Sequence, residues 1–235
     1  MKGSIYSKST KLEDKMIYDM IVNKGDLVYD IGANTGRKTD IFLNRGAKVV
    51  CIEPHPDCYN SLVQKYQNNP NVNLVNIALT DYEGTAILKL TDATTISTLS
   101  EKFIAKTKKE RFSEFSWNRS VEVKTNTLDS IISQYGLPSF CKIDVEGGEV
   151  AVLKGLTKSI QSIAFEFTPE LCDNAEDCIR RLIEINDKYR FNYSYGESMI
   201  FKYDDVIDAK TILTYLKSID DYKVTFGDVY AFIKD

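Results

Sequence analysis

The sequence predicts an α/β fold in which helices cover both faces of a mostly parallel sheet. Short apolar runs alternate along the chain with segments of helical spacing, as strand–helix–strand units do. The first two runs end at Asp30 and Glu53, and a glycine-rich turn follows the first run. A length of 235 residues suits one such sheet, so we expect a single domain over 1–235.

The predicted elements begin with a helical segment over 1–25, where Leu12, Met16, Met20 and Ile21 share one side. Apolar, β-branched runs predict the strands, at 27–31, 48–53, 72–78, 140–145, 162–167, 191–195, 199–203 and 228–233. Helical spacing predicts further helices, at 38–44, 56–66, 127–134, 149–156, 175–189 and 208–218. Alternating residues at 85–90 and 121–124 predict a β-hairpin that a lid-like insertion over 92–119 interrupts.

Local signals support several of these boundaries. Pro56 stands at the first position of a helix, where its missing N–H leaves no helical bond unmade. Thr127 is a typical residue to cap the start of a helix, and Gly46 is a typical residue just past a helix end. These signals indicate the same order of elements as the hydrophobic pattern.

Composition argues against several classes of function. A net charge of −4 and a pI near 5.3 disfavour a general polyanion binder, so nucleic acid is not the expected partner. No apolar run is long enough to span a bilayer, and the N-terminus lacks the apolar core of a secretory signal. The five cysteines have no zinc-binding spacing, which indicates reduced thiols in a cytoplasmic protein. These patterns leave the oligomeric state open.

The turn after the first strand, Asp30-Ile-Gly-Ala-Asn-Thr-Gly36, indicates a site for a nucleoside-containing cofactor. Gly32 and Gly36 leave the backbone bare, so that it can approach a ligand closely. Glu53 ends the neighbouring strand, where a carboxylate can accept both hydroxyl groups of a ribose. Asn34 replaces a glycine of the dinucleotide-binding pattern, and Asp30 would repel a diphosphate. S-adenosylmethionine, which carries an ammonium and a sulfonium, suits these residues better than a nicotinamide dinucleotide.

Five segments, in this order along the chain, resemble the signatures of the FkbM-type methyltransferases. They are Asp30-Ile-Gly-Ala-Asn-Thr-Gly36, Glu53-Pro-His-Pro56, Asn76-Ile-Ala-Leu-Thr-Asp81, Thr127-Leu-Asp129 and Lys142-Ile-Asp-Val-Glu-Gly-Gly-Glu149. The last segment is the most specific, and the resemblance covers roughly 27–166. It implies a class I methyltransferase with a Rossmann-like, seven-stranded sheet and S-adenosylmethionine as methyl donor. It also implies, as the usual reaction, O-methylation of a hydroxyl on a sugar, glycan or polyketide.

The strand predicted at 140–145 carries the candidate catalytic residues. Lys142 and Asp144 are two residues apart, so they share one face of the strand, and a buried lysine needs a partner. In the expected strand order, Asp30 and Glu166 end on neighbouring strands, at the edge where such sheets bind ligands. Asp144 is the first candidate to accept the proton of an acceptor hydroxyl or to orient it, with Lys142 and Glu166 beside it. A buried ion-pair network without a chemical role is the alternative.

Two more acids follow at the start of a helix, where acids are favourable for electrostatic reasons alone. Glu146 and Glu149 are therefore weaker candidates for contact with the substrate. Asp144, Glu146 and Glu166 together offer oxygen ligands of the kind that Mg²⁺ prefers. No spacing requires a metal, so we assign no metal site.

Residues that follow the second and third strands are expected beside the cofactor. Pro54 and His55 come directly after Glu53. We expect His55 to lie against the adenine or to cap the following helix, rather than to act as the base. Ala78 and Asp81 are expected to flank the adenine, although Asp81 is also a typical turn residue.

The insertion over 92–119 combines hydroxyl, basic and aromatic residues. Thr98 belongs to a hydroxyl-rich stretch that can line the mouth of the site, and Trp117 is one of four aromatic residues among six basic ones. Such a surface suits sugars, phosphorylated glycans or single-stranded nucleic acid. The favoured interpretation of this segment is a solvated helix whose apolar underside packs on the sheet. The competing hypothesis is a lid that closes over the acceptor.

Three further functions stay open on the same residues. The acceptor can be a nucleic-acid or protein nitrogen, although the Asn-Pro-Pro-Tyr motif typical of such enzymes is absent. A non-catalytic cofactor-binding module is disfavoured by Lys142, Asp144 and Glu166, and a nicotinamide dehydrogenase is disfavoured by Asn34. The favoured interpretation is an S-adenosylmethionine-dependent O-methyltransferase that acts on a small-molecule or glycan acceptor.

Overall fold

Two β-sheets and eight α-helices make up the computed structural model, which describes residues 16–109, 111–219 and 226–234. The strands are β1 (Leu27–Ile31), β2 (Lys48–Ile52), β3 (Val72–Val75), β4 (Ala78–Leu79), β5 (Gly84–Leu90), β6 (Arg119–Asn126), β7 (Phe140–Ile143), β8 (Ser162–Phe167), β9 (Tyr189–Tyr195) and β10 (Gly227–Ile233). The helices are α1 (Met16–Ile21), α2 (Arg37–Asn44), α3 (Pro56–Tyr66), α4 (Glu101–Thr107), α5 (Leu128–Tyr135), α6 (Glu149–Lys154), α7 (Cys172–Ile185) and α8 (Ala209–Lys217).

The larger sheet contains seven of the described strands, in the order β3-β2-β1-β7-β8-β10-β9. β10 runs antiparallel to β8 and β9, and the other neighbouring strands are parallel. This arrangement confirms the predicted seven-stranded, mostly parallel sheet. Chain order reverses between β1 and β7, and sheets of this kind bind ligands at the carboxyl ends of the strands beside such a reversal.

Helices bury both faces of this sheet, as its nearly continuous apolar strands require. On one face, Val28 and Val49 pack in a cluster with α1, α2 and α3. On the other face, Tyr29 and Val50 pack in a cluster with α5, α6, α7 and α8. Successive residues of a strand point to opposite faces, so β1 and β2 contribute to both clusters.

The smaller sheet has the strand order β4-β6-β5. β5 and β6 pair antiparallel, with Leu88 opposite Val121, which confirms the predicted hairpin. The insertion between these strands contains a 3₁₀ turn at Thr94–Ile96 and helix α4. The insertion and the larger sheet line one cavity together, so the hairpin carries the insertion to the ligand-binding edge.

Several predicted strands differ from the observed ones. Those predicted at 48–53 and 140–145 end earlier, at Ile52 and Ile143, so Glu53 and Asp144 lie just past β2 and β7 rather than within them. The run at 72–78 is divided, because Ala78 leaves the larger sheet and pairs with Thr125 of β6. The strand predicted at 199–203 was wrong: among the described residues this segment meets β9 at one isolated bridge, between Ser194 and Phe201. Met199 adopts a φ of 50°, which interrupts extended backbone there.

The helices differ from expectation mainly in their extent. The helix predicted at 175–189 ends at Ile185, because Asn186 has extended backbone and Tyr189 begins β9. The helical segment predicted over 1–25 is present as Met16–Ile21, and its first fifteen positions lie outside the described residues. Of the helices described, none combines the length and apolar character needed to cross a membrane.

Candidate functional site

A cavity of about 670 Å³ opens at the carboxyl ends of β1, β2, β7 and β8, beside the reversal of chain order. Its volume is in the range of sites for cofactors and small ligands. The predicted site residues that line it are Asp30, Gly32, Asn34, Glu53, Pro54, Ala78, Asp81, Thr98, Asp144, Glu146 and Glu166. Lys142, Gly36, His55 and Trp117 do not belong to the described lining.

Backbone conformation and close contacts explain why glycine occupies two positions of the turn after β1. Gly32 has a φ of 79°, and a Cβ there would lie 1.8 Å from the carbonyl oxygen of Asp144. Gly36 has a φ of 83°, and a Cβ there would lie 2.7 Å from the hydroxyl oxygen of Tyr66. Asn34, between them, also has a left-handed φ, of 49°. The turn therefore packs tightly on the loop after β7 and on helix α3, and several of its residues line the cavity.

Glu53 is held at this edge by backbone donors from both sides. Its Oε2 accepts the N–H of Asn34 at 2.8 Å, and its Oε1 accepts the N–H of His55 at 2.7 Å. Burial raises the pKa of Glu53 to about 7, although the two hydrogen bonds oppose the increase. Each carboxylate oxygen keeps a second lone pair. The group is thus positioned, and still able to accept a pair of ribose hydroxyls.

His55 caps helix α3. Its Nδ1 accepts the N–H of Asp57 at 3.2 Å, and its Nε2 is buried without a partner among the described residues. Burial lowers the pKa of His55, which favours the neutral ring. The geometry agrees with the expectation that His55 caps the helix, and a neutral, nearly enclosed imidazole is a poor candidate for the base.

Lys142, one of the candidate catalytic residues, is buried and only 1% exposed. Its Nζ is 3.0 Å from Oδ2 of Asp144 and 3.0 Å from Oδ1 of Asp228. Burial disfavours the ammonium, but Asp144 and Asp228 outweigh burial and hold the pKa of Lys142 well above its usual value. Lys142 therefore stays charged and fixes one oxygen of Asp144.

Asp228 was missed by the sequence analysis. It lies on β10, the antiparallel strand, and stands opposite Glu166 of β8. The available signal was a single acid inside an apolar run near the C-terminus, where the pattern otherwise indicates a buried strand. Because β10 enters the sheet beside β8, a residue more than eighty positions away becomes a partner of Lys142.

Asp30 joins this group less closely than expected. It stands opposite Lys142 across the β1–β7 pair, but its Oδ2 accepts the hydroxyl of Thr39 at 2.6 Å. Burial raises the pKa of Asp30, and the bond from Thr39 opposes the increase. The structure thus brings all four predicted residues to one edge, while Asp228, which was not among them, makes a direct ion pair with Lys142.

Three carboxylates converge above Lys142. Asp144, Glu146 and Glu166 each offer an oxygen, and the three oxygens lie within 4.8 Å of one another. Burial and the neighbouring Glu166 raise the pKa of Glu146 well above its usual value, and burial and Asp144 do the same for Glu166. An arrangement of this kind can bind a proton, a cation or the hydrogen of a hydroxyl group.

The loop that presents Glu146 is shaped by two other side chains. Glu146 has a left-handed φ of 53°, and its carbonyl accepts the hydroxyl of Thr98 at 2.7 Å. Glu149 accepts the N–H groups of Val145 and Gly147 at 3.1 and 3.2 Å, and burial raises its pKa to about 7. Glu149 is therefore occupied in closing the loop, whereas Glu146 faces the cavity.

The insertion packs its aromatic side chains inward. Trp117 donates its Nε1–H to the carbonyl of Ile96 at 2.9 Å and meets the ring of Phe103 edge-on. Arg111 makes two hydrogen bonds to the nearly buried Glu170, at 2.7 and 3.1 Å. These contacts agree with the interpretation in which the aromatic residues form a packed apolar underside of the insertion. The role of Trp117 as a substrate contact stays a prediction.

A known family of domains matches most of the chain. The methyltransferase FkbM domain matches residues 30–219, which is most of the chain. The chain is similar to the hexuronic acid methyltransferase AglP of Haloferax volcanii, at 26% identity over 143 residues. That match covers 60% of this chain and 54% of AglP, so the chain spans about half the length of this relative.

One solved structure superposes on this chain over nearly its whole length. The precorrin-6Y C5,15-methyltransferase of Geobacter metallireducens superposes with a TM-score of 0.51 at 9% identity, over 98% of this chain and 94% of that one. A TehB-like S-adenosylmethionine-dependent methyltransferase of Corynebacterium glutamicum has a TM-score of 0.45 at 11% identity, over 94% and 88% of the two chains. The first likeness shows that the fold is of the class I methyltransferase type.

Proposed function

Because the chain belongs to the FkbM methyltransferase family, whose methyl donor is S-adenosylmethionine, we propose that it methylates a hydroxyl group of a sugar, glycan or related metabolite. The observation that carries this proposal is the convergence of Asp144, Glu146 and Glu166 at the cavity edge, beside the cofactor turn. Carboxylates there can remove the proton that an alcohol must lose. The similarity to a hexuronic acid methyltransferase supports a sugar acceptor.

The residues of the turn and of the loop after β2 fit the cofactor. Glu53 presents a fixed, buried carboxylate with spare lone pairs, which suits the two hydroxyls of a ribose. We assign the adenine to the side of the cavity lined by Pro54, Ala78 and Asp81. When bound, S-adenosylmethionine supplies a methyl group activated by its positively charged sulfur.

The catalytic contribution of the chain is positioning and proton removal. Positioning of reactants lowers barriers by roughly 7–11 kcal/mol, and a placed base adds about 10²–10⁴-fold in rate. Asp144 is the first candidate for the base or for the group that orients the hydroxyl, because Lys142 holds one of its oxygens and leaves the other available. Glu166 is the second, because it lines the same cavity and offers an oxygen within 4.8 Å of those of Asp144 and Glu146.

The proposal is tested by incubating the protein with tritium-labelled S-adenosylmethionine and fractionated glycans, lipids and RNA. We expect label in the glycan fraction, in a form stable to mild alkali, because an ether bond resists conditions that hydrolyse methyl esters. Asp144→Asn should abolish most of the transfer while it retains binding of S-adenosylhomocysteine. Label confined to RNA, or no transfer to any fraction, would contradict the proposal.

A further inference from the structure

We propose that Asp144, Glu146 and Glu166 are specificity-determining residues, which select an acceptor that is neutral or carries an amine near its reacting hydroxyl and discriminate against uronates. This inference rests on the proposed function and narrows its substrate class. It differs from what the similarity to a hexuronic acid methyltransferase would lead one to expect.

Acidic side chains outnumber basic ones around the described cavity. Seven acidic residues line it, against two basic ones, Arg37 and Lys38. Arg37 pairs with Glu197 at 2.5 Å, and the Nζ of Lys38 lies 5.4 Å from the ring centroid of Tyr18. Lys142, beneath the acids, is engaged by Asp144 and Asp228. The cations near the acceptor position are thus already committed to groups of the protein.

Glu146 and Glu166 differ from Glu53 in their hydrogen bonding. Within the described part of the chain, the side chains of Glu146 and Glu166 accept no hydrogen bond, in contrast to Glu53 with its two backbone donors. When either carboxylate is ionised, no hydrogen bond or ion pair from the described residues offsets its charge directly. A neutral hydroxyl can donate to such a carboxylate, and an amine can also offset its charge, whereas a further anion adds to the repulsion.

The charged groups that face this pair set the direction of proton movement on binding. Glu146 and Glu166 interact with each other and with Asp144, Glu149 and Lys142, and Glu166 also interacts with Asp228. Repulsion and burial favour the protonated forms of Glu146 and Glu166. Binding of a protonated amine should therefore release protons from these two carboxyl groups to the solvent. A uronate should bind with proton uptake. These opposite signs give a readout that does not depend on turnover.

A set of glycans that differ only in their terminal sugar tests the inference. Glycans ending in a hexose, the corresponding hexosamine or the corresponding hexuronate are incubated with the protein and labelled S-adenosylmethionine, first with EDTA and then with Mg²⁺. We expect labelling of hexose or hexosamine ends at least about tenfold above the matched uronates, since juxtaposed like charges are strongly unfavourable. Methyl esterification of a uronate should restore its labelling.

Calorimetry provides the second measurement. It uses a glycan that accepted label in the first experiment and the matched glycan that ends in a uronate, both with S-adenosylhomocysteine present. Binding is compared in buffers of different ionisation enthalpy, which reports protons taken up or released. The double variant Glu146→Gln/Glu166→Gln should shrink the affinity ratio between the two glycans several-fold. Glu83→Gln, which removes an exposed carboxylate outside the cavity lining, is the matched control and should leave the ratio unchanged.

The outcomes separate the two proposals. Label on no glycan contradicts the proposed function and the inference with it. Equal or preferential labelling of uronates in the presence of EDTA contradicts the inference alone. Uronate labelling that appears only with Mg²⁺ also overturns it, because the three carboxylates then act as ligands of a cation that reverses the charge of the site.

Discussion

The proposed cofactor side of the cavity, around Glu53, and the proposed acceptor side, around Asp144, Glu146 and Glu166, both carry acids but hold them by different means. Glu53 receives backbone N–H groups from Asn34 and His55, which lie 19 and 2 positions away. On the acceptor side, Asp144 is tied to Lys142, while Glu146 and Glu166 accept no hydrogen bond from the described residues. The difference suits a cofactor side that always binds the same ligand. It also suits an acceptor side whose carboxylates stay available to the acceptor.

The largest effect should come from removing the cation beneath the acceptor side. Lys142→Met leaves Asp144 and Asp228 without their partner in a buried position, so we expect the free energy of unfolding to fall by about 3–5 kcal/mol. Urea denaturation measures it. Lys234→Met, which breaks an exposed ion pair with Asp205, is the control and should leave stability nearly unchanged. Equal stability of both variants would mean that Lys142 does not hold the acceptor side together.

On the cofactor side, the corresponding test is Glu53→Ala. Loss of two hydrogen bonds to a charged group, at about 1.5–3 kcal/mol each, should raise the Kd for S-adenosylhomocysteine by roughly 10²-fold or more. Isothermal titration measures this change, and Glu83→Ala is the matched exposed control. An unchanged Kd for Glu53→Ala would remove the ribose assignment and with it the contrast between the two sides.

The pH dependence of cofactor binding should sharpen the comparison. The pKa of Glu53 is about 7, raised by burial, and the ionised form is the better acceptor for ribose hydroxyls. Affinity for S-adenosylhomocysteine should therefore rise about tenfold between pH 6 and pH 8 and then level off, since the proton must leave before the ligand binds. In Glu53→Gln this part of the pH dependence should disappear. A wild-type profile that stays flat would contradict the assignment.

The smallest predicted effect concerns the link between the insertion and the acceptor side. Thr98→Val leaves the carbonyl of Glu146 without its donor at a strained position, so kcat should fall roughly five- to tenfold, for a loss of about 1–1.5 kcal/mol. The Kd for S-adenosylhomocysteine should not change. Transfer to the labelled glycan measures kcat.

Thr107→Val is the matched control, because Thr107 is also a buried threonine of the insertion and donates to the carbonyl of Phe103 at 2.8 Å. It should lower stability without the selective loss of kcat, and Thr98→Ser should restore most of the activity. Equal kcat values for Thr98→Val and Thr107→Val would mean that Thr98 does not position Glu146.

The cofactor side was largely predictable from the sequence because its parts are close in the chain. The turn, Glu53 and the cap at His55 belong to two consecutive strand–helix connections, and their spacing carries the signal. The acceptor side was predictable only in part. Lys142, Asp144 and Glu166 were placed at one edge from the expected strand order, whereas the ion pair of Asp228 with Lys142 was not foreseen.

By itself, the sequence determined the parallel sheet, the cofactor turn and the family, because hydrophobic period, glycine position and local motif are properties of neighbouring residues. Only the tertiary structure decided which acid pairs with Lys142, which glutamates are left without donors, and how Thr98 meets Glu146. Those contacts join residues from 48 to 86 positions apart. They depend on the place of β10 in the sheet and on the packing of the insertion, which no local pattern encodes.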